Sequence, residues 1–357
     1  MNGRSQTGLA SRSLVFDRPR VRAPCHQPRR RLAVASLLAG IALIMSGCGD
    51  ISTASRNPLA GGREINGRTI LFVIAGPPSS PWGQALNAIK AVEAITGLRV
   101  RVTYANTSSQ LAAEIESGVA AHVAGMALDV YSPGADTEIC AASDAGIPVV
   151  AWNSNGYGAA ADSCVIAYMG QDFVSAGRLI ANYLAKHGDI KRGAHVFCPV
   201  EDATGSYAKL RAQGVNSVLS SYGTRCDVVG VGFADAGNQS IMTRYLQRHP
   251  NTNLIIALGG TPLANAPAVL KRLGRHPVVA GFDIADGKTT RIIRGIEDGA
   301  IVATVDQEFY SQAFQAVMQL ALYLKYGLVP SNVNTSDNSV VDNINAGLAA
   351  SLSGTYR

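Results

Sequence analysis

The stretch TILFVI (residues 69–74), followed by WGQALNAIKAVEAIT (82–96) and LRVRVTY (98–104), gives the clearest indication of the fold. The first segment is a β-branched and apolar run, which predicts a strand. In the second segment apolar residues recur at every third or fourth position, and Gly97 stands where a helix ends. A strand, a helix and a second strand in that order are typical of a βαβ unit with parallel strands.

The same alternation continues along the chain and predicts an α/β protein. Further strands are predicted at 147–152, 165–169, 194–198, 226–231, 254–257, 278–280 and 301–305, and an apolar run lies at 119–126. Helices are predicted at 108–117, 136–145, 175–186, 206–219, 240–247, 264–273, 289–297 and 310–324. The strands are nearly continuous apolar runs, as expected when helices cover both faces of a sheet. Two successive sets of such units predict two doubly wound parallel-sheet lobes, whose ligands bind beyond the carboxyl ends of the strands.

Composition and charge narrow the classes of function. The chain has 357 residues, of which 47% are hydrophobic and 16% charged, so it is neither disordered nor too short for two domains. Its formal net charge of +6 resides in the leader, because residues 1–47 contain eight arginines and one acidic residue. The remainder contains 23 basic and 24 acidic residues and offers no general field to attract nucleic acid.

The first 47 residues resemble the signal peptide of an exported lipoprotein. Three arginines at 29–31 precede an apolar run of 14 residues at 32–45, which is shorter than the roughly 20 residues that span a bilayer. Small residues then precede Cys48, as in a bacterial lipobox, where the cysteine is lipidated and becomes the mature N-terminus. An ordinary signal peptide with a cysteine nearby is the alternative, and general export, twin-arginine export and a start codon further downstream all stay open.

Residues 48–66 are rich in serine, glycine and asparagine and predict a tether. A lipid anchor followed by a tether suits a protein that works beside a membrane component without spanning the membrane itself. We therefore expect an exported protein, anchored to the outer face of the bacterial cell membrane.

Four cysteines remain in the body of the chain, and an exported context favours disulfides. Three pairings are possible, and we favour Cys140–Cys164 and Cys198–Cys226 because each pair falls within one predicted domain. The cysteines form no CxxC motif and the histidines are scattered, so we expect no metal site. The chain also lacks GxGxxG after the first strand, a Walker loop, GxSxG and HExxH, which argues against a cofactor and against an enzyme.

Several short motifs recur in a fixed order along the chain. They are Ser80-Pro81-Trp82, DAGIPVV (144–150) leading to Asn153, Gly170-Gln171-Asp172 before Ala176-Gly177-Arg178, the run from Gly205 to Gly214 that contains Lys209 and Arg211, Gly281-Phe282-Asp283, and ATVDQ (303–307). In this order and spacing, over about residues 68–330, the chain resembles the type I periplasmic binding proteins of the ribose- and galactose-binding class.

The resemblance implies two lobes joined by three crossings, near Gln171, Gln307 and Ser331, that close on a sugar by a hinge motion. Residues 67–171 and 308–331 would form the N-terminal lobe. Residues 172–307 and 332–357 would form the C-terminal lobe.

The strand ends and the resemblance together predict a set of ligand-binding residues. They are Trp82, Asn153, Gln171, Asp172, Lys209, Phe233, Thr261, Asp283 and Gln307. An aromatic ring offers a flat apolar face to a sugar, and a carboxylate accepts strong hydrogen bonds from its hydroxyls. For Trp82 and Phe233 the structural alternative is core packing, and for Asp172 and Asp283 it is a helix cap.

Several positions depart from the family pattern, among them Gly260-Thr261, where the family often has Asn-Asp. Asn153 replaces a common aspartate, Ser154 a frequent arginine, and Lys209 an arginine that usually makes bidentate contacts. We therefore expect a changed ligand, such as a polyol or an unusual pentose, rather than ribose or galactose. Both tryptophans, Trp82 and Trp152, are predicted in loops near the cleft.

The resemblance implies the monomeric extracytoplasmic receptor of an ABC sugar importer, which delivers a small sugar or polyol to a membrane permease. A receptor that feeds a membrane sensor kinase has the same fold and stays open. An exported enzyme is less favoured because the motifs of catalysis are missing. The effector domain of a sugar-responsive repressor is disfavoured by the export signal.

Overall fold

The computed structural model describes residues 61–76, 82–131, 133–156, 164–284, 291–335 and 339–357. The predicted signal peptide, Cys48 and most of the tether lie outside the described residues. Within these ranges, every helix is too short or too polar to cross a membrane.

The first lobe is built on a six-stranded sheet in the order β11-β5-β4-β3-β1-β2. Its strands are β1 (Thr69–Ala75), β2 (Arg99–Ala105), β3 (Gly125–Val130), β4 (Val149–Asn155), β5 (Ala167–Gly170) and β11 (Val333–Asn334). Every neighbouring pair is parallel. Its helices are α1 (Gly83–Thr96), α2 (Ser108–Ala120), α3 (Asp136–Asp144) and α9 (Phe309–Tyr326).

Both faces of this sheet are buried, which explains the continuous apolar strands. Side chains alternate along β1, so that Phe72 packs in one core with residues of α1 and α9. Its neighbour Val73 packs on the opposite face with residues of α2 and α3. A strand covered on both sides needs an apolar residue at every position.

The second lobe repeats this design, with the sheet order β12-β10-β9-β8-β6-β7. Its strands are β6 (His195–Val200), β7 (Cys226–Gly230), β8 (Thr252–Ala257), β9 (Val278–Phe282), β10 (Ala303–Val305) and β12 (Val340–Asp342). Its helices are α4 (Phe173–Lys186), α5 (Ser206–Leu219), α6 (Asp235–Arg248), α7 (Gly260–Leu273), α8 (Arg291–Glu297) and α10 (Ala346–Leu352). The strand β12 is antiparallel to β10, whereas the other pairs are parallel. The predicted two-lobed parallel α/β fold is confirmed.

Most predicted elements occur within a few residues of their expected bounds. The apolar run 119–126 is an exception, because the structure divides it between the end of α2 and the start of β3. The elements β11, β12 and α10 were not predicted, since strands of two and three residues and a helix of seven are too short to show a readable periodicity.

The third passage between the lobes lies later in the chain than expected. The first two passages follow β5 and β10, at residues 171–172 and 306–308. Val333 and Asn334 still pair with β5 in the first sheet, and the chain joins the second sheet at Val340. The crossing predicted near Ser331 therefore lies after Asn334, and the assignment of 332–334 to the second lobe is wrong. The other lobe boundaries stay predictions.

The segment after α10 returns to the first lobe. The α10 residues Ala346 and Ala349 pack in the core of the second lobe. Asn87 of α1 then donates hydrogen bonds to the carbonyls of Gly354 and Thr355, at 3.4 and 3.3 Å. This segment therefore bridges the two lobes beside the second crossing.

Both favoured disulfide pairings are confirmed. Cys140 of α3 is joined to Cys164, with their Cα atoms 5.0 Å apart. Cys198 and Cys226 join the neighbouring strands β6 and β7, with a Cα separation of 5.7 Å. Each bridge thus lies within one lobe.

Candidate functional site

A buried arginine ties the two lobes together where the strand ends of both sheets meet. Arg211 of α5 is 0% exposed. Its Nε and Nη2 donate to Oε1 of Gln171, at 3.1 and 2.8 Å. Its Nη1 donates to the carbonyl of Leu258 at 2.7 Å, and Nη2 lies 3.3 Å from Oδ1 of Asp283. We call Gln171, Arg211, Leu258 and Asp283 the Arg211 cluster.

Helix packing and aromatic rings hold this arginine in place. Gly177 of α4 and Gly214 of α5 let the two helices approach closely, because a Cβ on either would overlap the backbone of the other helix. The guanidinium carbon lies 4.3 Å from the centroid of the Phe282 ring and 5.3 Å from that of Phe173. Cation–π contacts of this kind offset part of the cost of burying the charge.

Asp283 adopts an unusual backbone conformation directly after β9. Its φ angle is 73°, a region that non-glycine residues rarely occupy. The carbonyl of Asp283 accepts a hydrogen bond of 3.0 Å from Thr304 Oγ1 of β10. The described residues donate no hydrogen bond to Oδ2, the second carboxylate oxygen. The helix-cap alternative for Asp283 concerns residues 285–290, which lie outside the described residues.

A second carboxylate, that of Glu201, directly follows β6, at the same carboxyl-terminal edge of the second sheet as Asp283. Its Oε1 accepts from the backbone N–H of Thr261 at 2.8 Å, and its Oε2 accepts from the Tyr207 hydroxyl at 3.2 Å. Burial raises the pKa of Glu201 above its usual range. Thr261, a predicted site residue, therefore reaches this edge through its backbone at the start of α7.

One hydrogen bond crosses directly from lobe to lobe at the rim. The hydroxyl of Tyr131, which follows β3, donates to Oδ2 of Asp202, which follows β6, at 3.0 Å. Burial raises the pKa of Tyr131, and the nearby Asp202 raises it further, so the phenol stays protonated and able to donate. Together with Gln171–Arg211, this contact shows that the carboxyl ends of the two sheets face each other across a cleft.

At the carboxyl ends of the strands of the first lobe, the buried carboxyl group of Asp129 contacts the side-chain amide of Asn153. Asn153 has a φ of 58° and donates from Nδ2 to Oδ2 of Asp129 at 2.8 Å. The backbone N–H of Ala75 donates to the same oxygen at 3.2 Å. Asp129 is 2% exposed, and its Oδ1 makes no hydrogen bond of normal geometry with the described residues. Burial raises its pKa to about 7, against the opposing effect of hydrogen bonds from Asn153, Ala75 and the neighbouring Ser154. The hydroxyl of Tyr168 fixes the Asn153 carbonyl from behind, at 2.6 Å.

The two glutamines at the crossings are buried with one polar atom unused. Gln171 is 1% exposed, and its Nε2 has no partner among the described residues. Oε1 of Gln307 is likewise unpartnered within the described chain. The Gln307 carbonyl accepts from Gln312 Nε2 at 2.7 Å and from Thr335 Oγ1 at 2.8 Å, which ties the second crossing to the third.

The two tryptophans differ from the prediction that both lie in loops by the cleft. Trp152 lies inside β4 and is 0% exposed, and its Nε1 donates to the Val73 carbonyl at 2.8 Å. Its placement in a loop was wrong, because β4 continues to Asn155 and the indole faces the core. Trp82 directly precedes α1 and packs edge-to-face on Trp152 and Phe309, with centroid distances of 5.5 and 4.9 Å.

Three predicted site residues lie apart from the Arg211 cluster. Asp172 caps α4, where it accepts the Ser175 N–H at 2.9 Å. Lys209 is exposed on α5, and Phe233 is 67% exposed. The basic residue that this part of the chain supplies to the cleft is therefore Arg211 rather than Lys209. Asn153, Gln171, Thr261, Asp283 and Gln307 lie at the strand ends and crossings.

Four residues of this site were not among the sequence candidates, although each leaves a signal. Asp129 is the single charge inside the apolar strand GMALDV, and Arg211 stands two residues after Lys209 in a quoted motif. Tyr131 and Glu201 directly follow β3 and β6. These positions are selected by the rule that ligands bind beyond the carboxyl ends of parallel strands, which we call the strand-end rule. No group of three or more histidines, cysteines or acidic residues in the described ranges could hold a metal ion.

The comparison with protein families shows the class of protein to which this chain belongs. A family model described as the periplasmic binding protein domain matches residues 70–328. The chain belongs to this family. The resemblance read from the motifs is confirmed, and the two lobes with their cleft match the fold of this binding-protein class.

The binding protein is also similar to solved structures. One is a carbohydrate transporter from Acidothermus cellulolyticus in complex with myo-inositol, with a TM-score of 0.70 and 25% identity over 80% of this chain and 98% of that one. A second is a periplasmic ribose ABC transporter from Conexibacter woesei, with a TM-score of 0.68 and 18% identity over 82% of this chain and 97% of that one. The second likeness supports the fold alone.

A curated relative is the xylose/arabinose-binding protein of Sulfolobus acidocaldarius, which is 27% identical over 251 residues. The alignment covers 67% of this binding protein and 62% of the relative. The chain therefore spans less than two thirds of that relative's length.

Proposed function

We propose that this binding protein is the extracytoplasmic receptor of an ABC sugar importer. It captures a small sugar or polyol between its lobes and delivers it to a membrane permease. Relatives named as carbohydrate transporters and as a pentose-binding protein support this assignment. The described residues of the site offer hydrogen-bonding groups, and in this proposal the protein binds its ligand without turnover.

The observation that carries the proposal is the set of unused polar atoms in the cleft. Nε2 of Gln171, Oδ1 of Asp129 and Oε1 of Gln307 are buried and have no hydrogen-bond partner among the described residues. A buried polar group without a partner costs about 1–3 kcal/mol. The hydroxyls of a polyol both donate and accept, so they can pair with unused donors and acceptors alike.

The ligand is proposed to be a polyol or a less common pentose rather than ribose or galactose. Nδ2 of Asn153 is committed to Asp129, and Ser154 replaces the arginine that is frequent in relatives. The charged pair that often grips a sugar ring is therefore absent from these two positions. The myo-inositol bound by the Acidothermus protein and the pentoses named for the Sulfolobus relative fit this ligand class.

The location of the protein follows from its first residues. Residues 1–47 act as the signal, Cys48 carries the lipid, and the tether to residue 66 lets a monomer reach its permease from the outer face of the membrane. A Cys48→Ser variant should leave the membrane fraction, and its mass should lack the lipid. Retention of the lipid in that variant would contradict the assignment.

Titration calorimetry tests the ligand class. The purified protein is titrated with myo-inositol, D-xylose, L-arabinose, D-ribose and D-galactose, and we expect a polyol or pentose to bind without being consumed. Asp283→Asn should weaken binding strongly, because Asp283 positions Arg211 in the cleft. Asp144→Asn, an exposed acid at the end of α3, is the matched control. Failure of every polyol and sugar to bind, or consumption of the ligand, would overturn the proposal.

A further inference from the structure

The edge of the second lobe contains two carboxylates and one cation that is already paired. Asp283 is buried and Glu201 is half-buried at the strand ends, and Arg211 forms an ion pair with Asp283. No described cation forms an ion pair with Glu201. All three guanidinium nitrogens of Arg211 are already bound to protein oxygens. Arg211 therefore has little capacity left to hold an anionic ligand.

Other parts of the chain do not reverse this balance. Lys209 is exposed on α5, and a serine replaces the arginine frequent at position 154. The segments 77–81, 157–163, 285–290 and 336–338 lie outside the described residues, and by sequence they contain one lysine and three aspartates. The charge count of the site thus disfavours carboxylated or phosphorylated ligands.

The two carboxylates of the second lobe flank one short turn. A Cβ on Gly260 would lie 3.3 Å from Cβ of Asp283, and a Cβ on Gly259 would overlap the Glu201 carboxylate. The turn Gly259–Gly260 therefore lies against both acids. Because these residues have no side chains, both carboxylates can approach the same point.

The unused hydrogen-bonding atoms give an independent indication of the ligand. Oε1 of Gln307 is a buried acceptor, and Nε2 of Gln171 and Nε1 of Trp82 are buried donors, each without a partner among the described residues. Hydroxyl groups can pair with donors and acceptors alike, whereas the carboxylates of Glu201 and Asp283 need donors. An ammonium group brings three donors together with a positive charge.

We propose that the cleft is specific for a polyhydroxylated primary amine, an amino sugar or an aminocyclitol, whose ammonium lies between Glu201 and Asp283. The proposal rests on the proposed receptor function and names the ligand class of the same site. The hydroxyls of the ligand pair with the amides of Gln171 and Gln307. The ammonium neutralises carboxylates that the protein itself leaves without a sufficient counter-charge.

Matched ligands test the charge preference. Calorimetric titrations compare D-glucosamine, D-glucose and D-glucuronate, the corresponding galactose set, and an aminodeoxy-inositol with myo-inositol. We expect at least one amine to bind about ten-fold or more tightly than its neutral parent, which is about 1.4 kcal/mol, and the uronates not to bind. The sugar and inositol sets distinguish the two kinds of amine.

A Glu201→Gln variant tests the assignment to specific residues. The amide oxygen of Gln can still accept from the Thr261 N–H, so the fold of the turn is preserved while the charge is removed. The preference for the amine over its neutral parent should fall to within about three-fold. Asp144→Asn should keep the full preference, and a thermal unfolding scan confirms that both variants are folded.

The outcomes separate this proposal from the broader one. Equal or tighter binding of the neutral parent, or binding of a uronate, would overturn the amine preference and leave the sugar receptor intact. An amine preference that survives in both Glu201→Gln and Asp283→Asn would overturn the placement of the ammonium. Failure of every neutral and amino ligand to bind would overturn both proposals.

Discussion

The two edges of the cleft are built from different chemistry. The edge of the second lobe is charged, with Arg211 held by three partners and two acids beside the turn Gly259–Gly260. The edge of the first lobe presents amides and phenols. Asn153 donates to the buried acid Asp129, and the hydroxyl of Tyr168 donates to the carbonyl of Asn153. The same βαβ architecture thus supports two unlike surfaces that meet at the crossings.

This difference indicates which lobe has its binding groups in place before the ligand binds. A buried charge needs its partners at all times, so the edge of the second lobe keeps its geometry whether or not ligand is present. The first lobe reaches across with Gln171, which Arg211 holds, and with Tyr131, which binds Asp202. We infer that the second lobe positions the ligand and that the first lobe completes the site on closure.

Removing the positive charge of Arg211 from the edge of the second lobe should have the largest effect on stability and on ligand affinity. Arg211→Met leaves Asp283 and the Leu258 carbonyl buried without their partner, so we expect a loss of about 3–5 kcal/mol in the free energy of unfolding. Ligand affinity should fall by about 100-fold or more. Urea unfolding and calorimetry measure the two effects. Lys209→Met, on the same helix but exposed, should change neither, and the opposite ranking of these two variants would break the comparison.

The buried acid of the first edge should respond to pH in a way that no acid exposed to solvent does. Burial raises the folded-state pKa of Asp129 to about 7, well above the usual range of an aspartate, so the folded protein keeps this proton more firmly than the unfolded chain. The free energy of unfolding should therefore fall as pH rises from about 4 to about 7, by on the order of 3 kcal/mol. In Asp129→Asn this fall should be clearly smaller, since the contribution of Asp129 is removed while the amide oxygen still accepts from Asn153 and Ala75. A residual fall should remain, because burial also raises the pKa of Asp306, to about 6, and that of Glu201.

Urea unfolding at several pH values measures this slope. Asp144→Asn serves as the control, and it should keep the slope of the unmodified protein because Asp144 is exposed. An unchanged slope in Asp129→Asn would show that the carboxyl is not responsible and would weaken the contrast between the two edges.

The sequence predicts the layers of this fold well because their signal is local. Continuous apolar strands and helical spacing reflect burial on both faces of each sheet, and this burial holds wherever the lobes lie. The third crossing depends instead on β11, two residues long, which pairs with a strand more than 160 positions earlier in the chain. Such a pairing is set by tertiary contacts, and a strand of two residues shows no periodicity in the sequence.

The site was predictable only where the strand-end rule applies directly. That rule found Asn153, Gln171 and Asp283. It missed Arg211, which lies inside α5, because helix side chains tilt toward the N-terminus and a long arginine reaches back to the strand ends. It missed Asp129 because this acid lies one residue before the end of β3 and acts through Asn153.

The hydrogen bond from Tyr131 to Asp202, which joins the two edges, should contribute less to ligand binding than the buried groups of either edge. Tyr131→Phe removes the hydrogen bond to Asp202, which remains hydrated and still binds Thr204. We expect a loss of about 1 kcal/mol in closure, seen as ligand affinity a few-fold weaker and dissociation faster by the same factor. Stopped-flow fluorescence measures the dissociation rate. Tyr183→Phe, which loses a hydroxyl contact to Asp342 within the second lobe, should leave this rate unchanged.

The contacts of Arg357 on the hinge side should have the smallest effect, because the Arg357 side chain is partly exposed and is not in close contact with either carboxylate. Arg357 lies 3.6 Å from the Asp306 carboxylate and 3.7 Å from that of Glu308, with 26% of its side chain exposed. Arg357→Gln should therefore cost about 0.5 kcal/mol or less, and the effect should shrink at high salt. Small-angle scattering of the ligand-free protein should show a slightly wider distribution of lobe separations than in the unmodified protein, and a narrower one than in Tyr131→Phe. A larger widening from Arg357→Gln than from Tyr131→Phe would mean that the hinge side, and not the cleft edges, sets the closed state.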